Sequence, residues 1–199
     1  MKGSDQALRT RLQRQWMGFL SYVMFLVPMI FCVQRGWLTF GYEGLAVYIV
    51  VALMVNGIFY LLIRNRFGIG LADPSLSFAQ IAVAGVLVLV MAYFVEEQAR
   101  SLTLALLFTS FFFGIFNLTR REYLALSSVA VAGYIGMLLL KYPGGQRAGE
   151  AFDLELLNLT ILVMVLLWIS LLGSYVASLR LRLGTALARL KQLATCDEL

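Results

Sequence analysis

Few side chains in the apolar segments of this chain could do chemistry. Asp73 opens the run Asp73-Pro74-Ser75-Leu76, and Gln80 follows seven residues later, on the same side of a helix. Asp before Pro is typical of a helix start, with the Asp as N-cap. A glutamine within an apolar helix usually bonds to a neighbouring helix. Alternatively, Asp73 and Gln80, or Asn117 at the end of another apolar segment, line a ligand site. We favour helix packing.

A stripe of phenylalanines offers a second candidate site. Phe108, Phe112 and Phe116 are spaced at i, i+4 and i+8, so they share one face of a helix. Aromatic side chains in such a stripe ordinarily face lipid or pack against a neighbouring helix. The alternative interpretation is a pocket for a hydrophobic ligand.

The absent residue types exclude several classes of function. The chain has no histidine, which removes the usual haem ligand and the commonest zinc or copper ligand. Its two cysteines, Cys32 and Cys196, are far apart and are interpreted as free thiols. The cores of the apolar segments hold no ionisable residue. Proton relays and ion-coupled transporters normally need one, so the absence argues against these functions. We therefore predict no catalytic or metal site in this chain.

The apolar residues fall into six uncharged blocks, which indicate a polytopic membrane protein. Each block has 17 to 24 residues, close to the roughly 20 that a helix needs to cross the hydrocarbon core. In lipid the backbone must satisfy its own hydrogen bonds, which favours helices. The predicted fold is all-α with six transmembrane helices, at Trp16–Val33, Gly44–Ile63, Leu76–Val95, Leu102–Leu118, Tyr123–Leu140 and Leu156–Leu179.

The distribution of Lys and Arg predicts the orientation, because cytoplasmic loops carry the excess of positive charge. One side of the predicted membrane holds twelve of these residues and the other holds four: Arg35, Arg100, Lys141 and Arg147. Both termini are therefore predicted to be cytoplasmic, with the six helices in the inner (cell) membrane. The external loops are Gln34–Glu43, Glu96–Ser101 and Lys141–Glu155, and none offers an obvious polar pocket. The net charge of +5 is assigned to the topology and to attraction to anionic lipid, not to nucleic-acid binding.

The last predicted span continues into a heptad pattern. Seven successive a and d positions are apolar: Leu172, Val176, Leu179, Leu183, Ala186, Leu190 and Leu193. Two such helices side by side would form a parallel coiled coil. The alternative is one amphipathic helix lying on the bilayer. We favour the coiled coil, which predicts a homodimer with these seven residues as its seam.

The final residues resemble the junction at which a signalling helix enters a GGDEF domain. That domain begins A-T-x-D-x-L-T-G-L-x-N-R, and Ala194, Thr195, Asp197 and Leu199 match its first residues. The stretch is short, but it directly follows a transmembrane helix and a heptad linker. The preceding residues resemble the membrane-associated sensor (MASE-like) domains of bacterial diguanylate cyclases, including the run from Asp73 to Gln80.

This resemblance implies a sensory and dimerising membrane domain that controls cyclic di-GMP synthesis. Magnesium and GTP would bind only in a downstream GGDEF domain, so no catalytic residue lies in this chain. The implied division is a cytoplasmic segment at 1–15, a six-helix sensor at 16–179, a signalling helix at 180–195 and the start of the GGDEF domain at 196–199. The alternatives are the input domain of a sensor histidine kinase and, less favoured, a small transporter or scaffold. The stimulus is expected to be a lipid or another hydrophobic molecule.

Overall fold

A computed structural model describes residues 2–65, 67, 76–114, 118–143 and 149–196 of the chain. These residues form an all-α fold, as predicted, without a β-strand among them. The helices in chain order are α1 (Lys2–Gln34), α2 (Gly41–Arg64), α3 (Ser77–Phe94), α4 (Glu97–Gly114), α5 (Arg120–Lys141) and α6 (Glu150–Cys196). We call the end of the bundle at which α4 and α6 begin the predicted external end, and the opposite end the predicted cytoplasmic end.

Five of the described helices are long and apolar enough to cross a membrane: α2, α3, α5, the part of α1 from Arg11 and the part of α6 up to Leu190. Helix α4 carries Glu97 and Arg100 and has 18 described residues, or about 27 Å of helix. It nevertheless packs within the bundle, mainly against α3 and α6, and two hydrogen bonds link its ends to those of α5. The Tyr142 hydroxyl after α5 donates to Glu97 at 2.7 Å, and the Tyr123 hydroxyl at the start of α5 donates to the Phe111 carbonyl at 3.2 Å.

The start of α3 differs from the prediction. The described helix begins at Ser77, and its N-cap Leu76 has a φ of 54°, in the left-handed region. A helix starting at Pro74 would have to pass through this residue, whose backbone is not right-handed helical. The prediction that Asp73 is the N-cap of this helix is therefore wrong. Asp73 itself lies outside the described residues. The start of α5 is regular by comparison, because Thr119 and Glu122 form a reciprocal capping box.

The bundle has a tightly packed interior and an apolar exterior. Fully buried side chains include Met29, Phe111, Tyr123, Tyr134 and Leu162. Large apolar side chains cover the outside of the same helices, among them Met54, Val129, Met164 and Trp168. A soluble domain exposes few contiguous apolar patches of this kind. The arrangement fits a bundle whose outer surface is solvated by lipid.

Helices α5 and α6 approach closely where their facing residues are small. Ser127 and Ser170 are both buried, and their hydroxyls lie 3.3 Å apart. A Cβ atom added at Gly173 would come within 2.6 Å of the Tyr123 ring. The absence of a side chain at Gly173 therefore lets this ring pack closely against α6, as small residues allow in membrane helix pairs.

Helix α6 is the longest element and joins the two ends of the molecule. It runs without a break for 47 residues, or about 70 Å. It packs against α4 and α5. Its residues from Arg182 to Leu190 are all exposed. One continuous helix thus leads from the predicted external end to beyond the packed bundle, across the predicted boundary between span and linker.

Candidate functional site

An ion pair is buried at the predicted external end. Arg100 of α4 and Glu155 of α6 contact each other through Nη1 and Oε1, and both side chains have no exposed surface. The sequence placed both residues in external loops. That placement is wrong, because α4 begins at Glu97 and α6 at Glu150, so Arg100 and Glu155 lie on the early turns of packed helices. Charges removed from water in this way require a partner, and each residue is the partner of the other.

Arg100 also completes the end of α3. Its Nε donates to the Ala92 carbonyl at 2.9 Å and its Nη2 to the Val95 carbonyl at 2.8 Å. The last carbonyls of a helix have no partner within the helix, and a cationic side chain at this position interacts favourably with the helix dipole. One guanidinium group therefore links the end of α3 to α4 and α6.

Glu155 connects the same ion pair to α5. Its Oε2 accepts a hydrogen bond of 2.5 Å from the Tyr134 hydroxyl, and both side chains are buried. Tyr134 also forms a side-chain hydrogen bond with Asn158, one turn beyond Glu155 on α6. The two oxygens of the Glu155 carboxylate thus contact two different helices, which fixes the rotation of α6 about its own axis.

Tyr142 extends these contacts to the outermost layer. Its hydroxyl donates to Glu97 at 2.7 Å, and its ring meets that of Phe152 edge-on, with centroids 5.8 Å apart. Burial, reinforced by the bond to Glu97, raises the pKa of Tyr142 to about 12, so it remains a hydrogen-bond donor at neutral pH. We call the whole set the Arg100 cluster, and its members are Glu97, Arg100, Tyr134, Tyr142, Glu155 and Asn158.

A short contact seals this end of the bundle. Leu38, before α2, pairs with Val95, after α3, in an isolated antiparallel bridge. The Thr39 backbone N–H donates to the Phe94 carbonyl at 3.1 Å, and the Glu96 N–H donates to the Trp37 carbonyl at 2.9 Å. These bonds tie the loop between α1 and α2 to the turn between α3 and α4, beside the buried Arg100–Glu155 pair.

The cluster is suited to holding helices in register and offers no obvious reaction chemistry. Within the described residues no group of three His, Cys, Asp or Glu side chains could hold a metal ion. Cys32 is buried as a free thiol. The charged atoms of Arg100 and Glu155 are inaccessible to solvent. The contacts of the cluster can stabilise one packing arrangement of helices α3 to α6 over others.

The predicted site residues are placed as follows. Asp73, Asn117 and Phe116 lie outside the described residues, so neither candidate ligand site is complete. Gln80 is half-buried in the first turn of α3. Phe108 is partly buried against the core, whereas Phe112 is 59% exposed on the outer surface. Phe111, which lies between these two positions, is instead fully buried in the core.

The predicted dimer seam divides into two parts. Val176 packs against the core of its own chain, whereas Leu172 is 36% and Leu179 39% exposed. Below them Leu183 and Leu190 are each 62% exposed and Ala186 is also exposed. Leu193 lies in the described helix, but its side chain is outside the described set. The unoccupied part of the seam therefore begins beyond Leu179.

Sequence reasoning missed the Arg100 cluster because both charges lie just outside the apolar blocks. A signal was present, since Arg100 precedes one block by two residues and Glu155 immediately precedes another. Their predicted location at the same end of the bundle was also available. Comparisons with known proteins add nothing to this assignment: no family model, curated protein or solved structure matches the chain.

Proposed function

We propose that this chain is the sensory and dimerising membrane domain of a bacterial diguanylate cyclase. Its six helices would all cross the inner membrane, with both termini in the cytoplasm. It would control a downstream GGDEF domain that makes cyclic di-GMP from GTP with magnesium. The observation that supports a signalling role best is α6, which runs unbroken from Glu155 in the buried cluster to the exposed leucines of the tail.

The physical basis of signalling is a shift between two packings of one helix. Glu155 fixes the position and rotation of α6 through Arg100 and Tyr134. A stimulus that favours a different packing at this end would rotate or translate the rigid helix, including its far end. A stimulus changes the population of two states only by its difference in affinity for them. A tenfold change in population requires about 1.4 kcal/mol, which a few altered contacts can supply.

Dimerisation would convert this movement into catalytic control. The exposed leucines at 183 and 190 fall on the predicted heptad face, and Leu187 beside them is 60% exposed. Burial of a leucine side chain contributes roughly 1.5–3 kcal/mol. Two copies of α6 would cover these side chains in a parallel coiled coil. Diguanylate cyclase active sites form between two catalytic domains, so the geometry of this coil would set the rate.

The direct test of the proposed function is an assay of the complete gene product. Membranes that contain it are incubated with GTP and Mg²⁺, and the products are separated by chromatography. We expect cyclic di-GMP, which disappears when the acidic residues of the GGDEF signature are replaced. Autophosphorylation from ATP in place of cyclic di-GMP would instead identify a sensor kinase and overturn the proposal.

Cysteine cross-linking tests the predicted seam. With Cys32 and Cys196 both replaced, single cysteines at Leu183 and Leu190 are expected to form disulfide-linked dimers in membranes within minutes of mild oxidation. Cysteines at Arg182 and Arg189, which are exposed but off the seam, serve as matched controls and should cross-link several-fold less. Equal cross-linking at all four positions would indicate collision without a defined interface.

Reporter fusions test the orientation. An alkaline phosphatase fusion at Pro143, between α5 and α6, is expected to be active because this enzyme needs the oxidising external side. A fusion after Lys191 should be inactive in the same assay and active with a cytoplasmic reporter. Activity of the phosphatase at Lys191 would place the tail outside and contradict the topology.

A further inference from the structure

A cleft opens between α1 and α2 at the predicted cytoplasmic end. Its volume is about 320 Å³, which falls in the range of roughly 300–1,000 Å³ typical of small-ligand sites. The wall residues that matter here are Gln15, Trp16, Phe19, Asn56, Gly57 and Tyr60. This cleft is remote from the Arg100 cluster, because α1 begins and α2 ends at the predicted cytoplasmic end.

The walls of the cleft combine apolar rings with amides. The Trp16 and Phe19 rings meet edge-on with centroids 5.7 Å apart, and Trp16 is 62% exposed. Gln15 Nε2 donates to Oδ1 of Asn56 at 3.3 Å, and Asn56 Nδ2 donates to the Ala52 carbonyl at 2.8 Å. The amides are thus held by both helices and do not depend on a ligand for their position.

One acceptor in the cleft wall is left unused. Gln15 is only 6% exposed, and among the described residues no hydrogen-bond donor reaches its Oε1. An unpaired buried acceptor destabilises a protein, because it has lost its hydrogen bonds to water without gaining another partner. A ligand that brings a hydroxyl donor to this position would remove that penalty.

Two arginines lie one turn nearer the predicted cytoplasmic end. Arg11 precedes Gln15 by four residues on α1, and Arg64 follows Tyr60 by four residues on α2. Residues four apart share a helix face, so both positions lie below the cleft on the faces that line it. Two cations below an apolar groove complement an anionic headgroup whose chains extend toward the centre of the membrane.

We propose that this cleft is a binding site for phosphatidylglycerol. Its phosphate lies between Arg11 and Arg64, its glycerol hydroxyls reach the amides of Gln15 and Asn56, and an acyl chain lies in the groove over Gly57. A Cβ atom added at Gly57 would meet nothing within 4 Å, so the groove has room for the chain. The site is independent of the proposed cyclase function, because it requires only α1 and α2.

Quenching of Trp16 fluorescence by brominated lipid measures occupation of the cleft directly. The full chain carrying Trp37→Phe and Trp168→Phe has Trp16 as its single tryptophan. It is reconstituted in phosphatidylethanolamine vesicles with a minor fraction of brominated phosphatidylglycerol or, separately, brominated phosphatidylethanolamine. We expect phosphatidylglycerol to be enriched at least about fivefold at Trp16, since that is the effect of each single arginine near an anionic surface. Equal quenching by the two lipids would overturn the proposal.

Variants distinguish lipid bound in the cleft from anionic lipid that is attracted to any basic surface of the protein. Gly57→Leu fills the groove and keeps both arginines, so it should abolish the enrichment. Gly136→Leu is the matched control, because Gly136 on α5 also has open space at its Cβ position, and it should leave the enrichment unchanged. The double variant R11Q/R64Q should lose it, whereas R120Q/R121Q on α5, which removes the same charge, should retain it. Enrichment that survives Gly57→Leu would show that lipid gathers around the protein without entering the cleft.

Competition tests the role of the amides. Unlabelled phosphatidylglycerol should displace the brominated lipid from Trp16. Phosphatidylmethanol, which has the same charge but no headgroup hydroxyl, should displace it several-fold less well. In a Gln15→Leu variant the difference between the two competitors should become smaller, because one of the two amides is lost. Equal competition in the parent protein would exclude hydrogen bonding from the headgroup and overturn the assignment to phosphatidylglycerol.

Discussion

Replacement of Glu155 with alanine is expected to destabilise the bundle far more than removal of an exposed charge at the same end. It leaves the Arg100 guanidinium buried without its counter-ion and removes the acceptor of the Tyr134 hydroxyl. Loss of one partner from a buried ion pair destabilises proteins by about 3–5 kcal/mol. For a chain of this length that corresponds to a fall in Tm on the order of 10 °C. Thermal unfolding in detergent or nanodiscs measures the effect.

The matched control is Glu96→Ala, since Glu96 lies in the short turn between α3 and α4. Glu96 is exposed at the same end of the bundle, and exposed charges contribute roughly 0–1 kcal/mol. Its replacement should therefore leave Tm almost unchanged. A similar fall in Tm for both variants would mean that net charge at this end, and not the buried pair, determines stability.

A double replacement separates two effects on stability. One is the destabilisation caused by a single unpaired buried charge, and the other is the net stabilisation that the pair provides. The variant R100M/E155L removes both charges and keeps apolar volume in the interior. Replacing a buried ion pair by apolar residues is often neutral or stabilising. Here we expect recovery of only part of the loss, because the Ala92 and Val95 carbonyls also lose the guanidinium donors. The double variant should thus unfold between the parent protein and Glu155→Ala.

The same variants also report on signalling. If the ion pair fixes the position of α6, its removal should alter cyclic di-GMP output of the full-length protein at equal membrane levels. Glu155→Gln is the informative substitution, because the amide oxygen can still accept from Tyr134 while the negative charge is lost. Output that is unchanged in this variant, despite a lowered Tm, would assign the cluster a purely structural role.

The helical class of the fold could be predicted from the sequence, because apolar block length directly reflects the thickness of a bilayer. The continuity of α6 across Arg180 and Arg182 was also predictable from the unbroken heptad pattern. The Arg100 cluster was not, since it depends on which helix faces meet. A rule that assigns charged residues to loops fails where the charge is neutralised by a partner from another helix. The Gln15–Asn56 contact was missed for the same reason: residues 41 positions apart meet only through packing.

The structure divides the predicted seam into a part that packs within the chain and a part that is exposed, which the sequence did not indicate. Val176 packs within its own chain, so the same face of α6 is occupied inside the bundle and free below it. In the proposed dimer, a heptad face that changes from intramolecular to intermolecular contact would transmit rotation of α6 directly to the partner helix. The phase of the helix between the bundle and the downstream domain should therefore matter more than its length.

Insertions between Leu183 and Leu190 are expected to change cyclic di-GMP output with the period of the helix. Each inserted residue rotates everything that follows by about 100°, whereas seven residues restore nearly the same face. One or two inserted residues would turn the downstream catalytic domains away from each other, and we expect output to change at least tenfold. That change corresponds to about 1.4 kcal/mol between two arrangements of the dimer. A full heptad should change output much less, because it lengthens the helix and preserves the seam.

The measurement compares insertions of one to seven residues in the full-length protein at equal membrane expression. Alanine-rich insertions keep the helix intact, since alanine has the highest helix propensity. A seven-residue glycine-rich insertion of the same length is the matched control, because it keeps the spacing but interrupts the rigid helix. We expect it to change cyclic di-GMP output as strongly as an insertion of one or two residues, and not as little as the alanine-rich heptad. A flat response across the series, with the glycine-rich insertion included, would show that α6 tethers the downstream domain without controlling it.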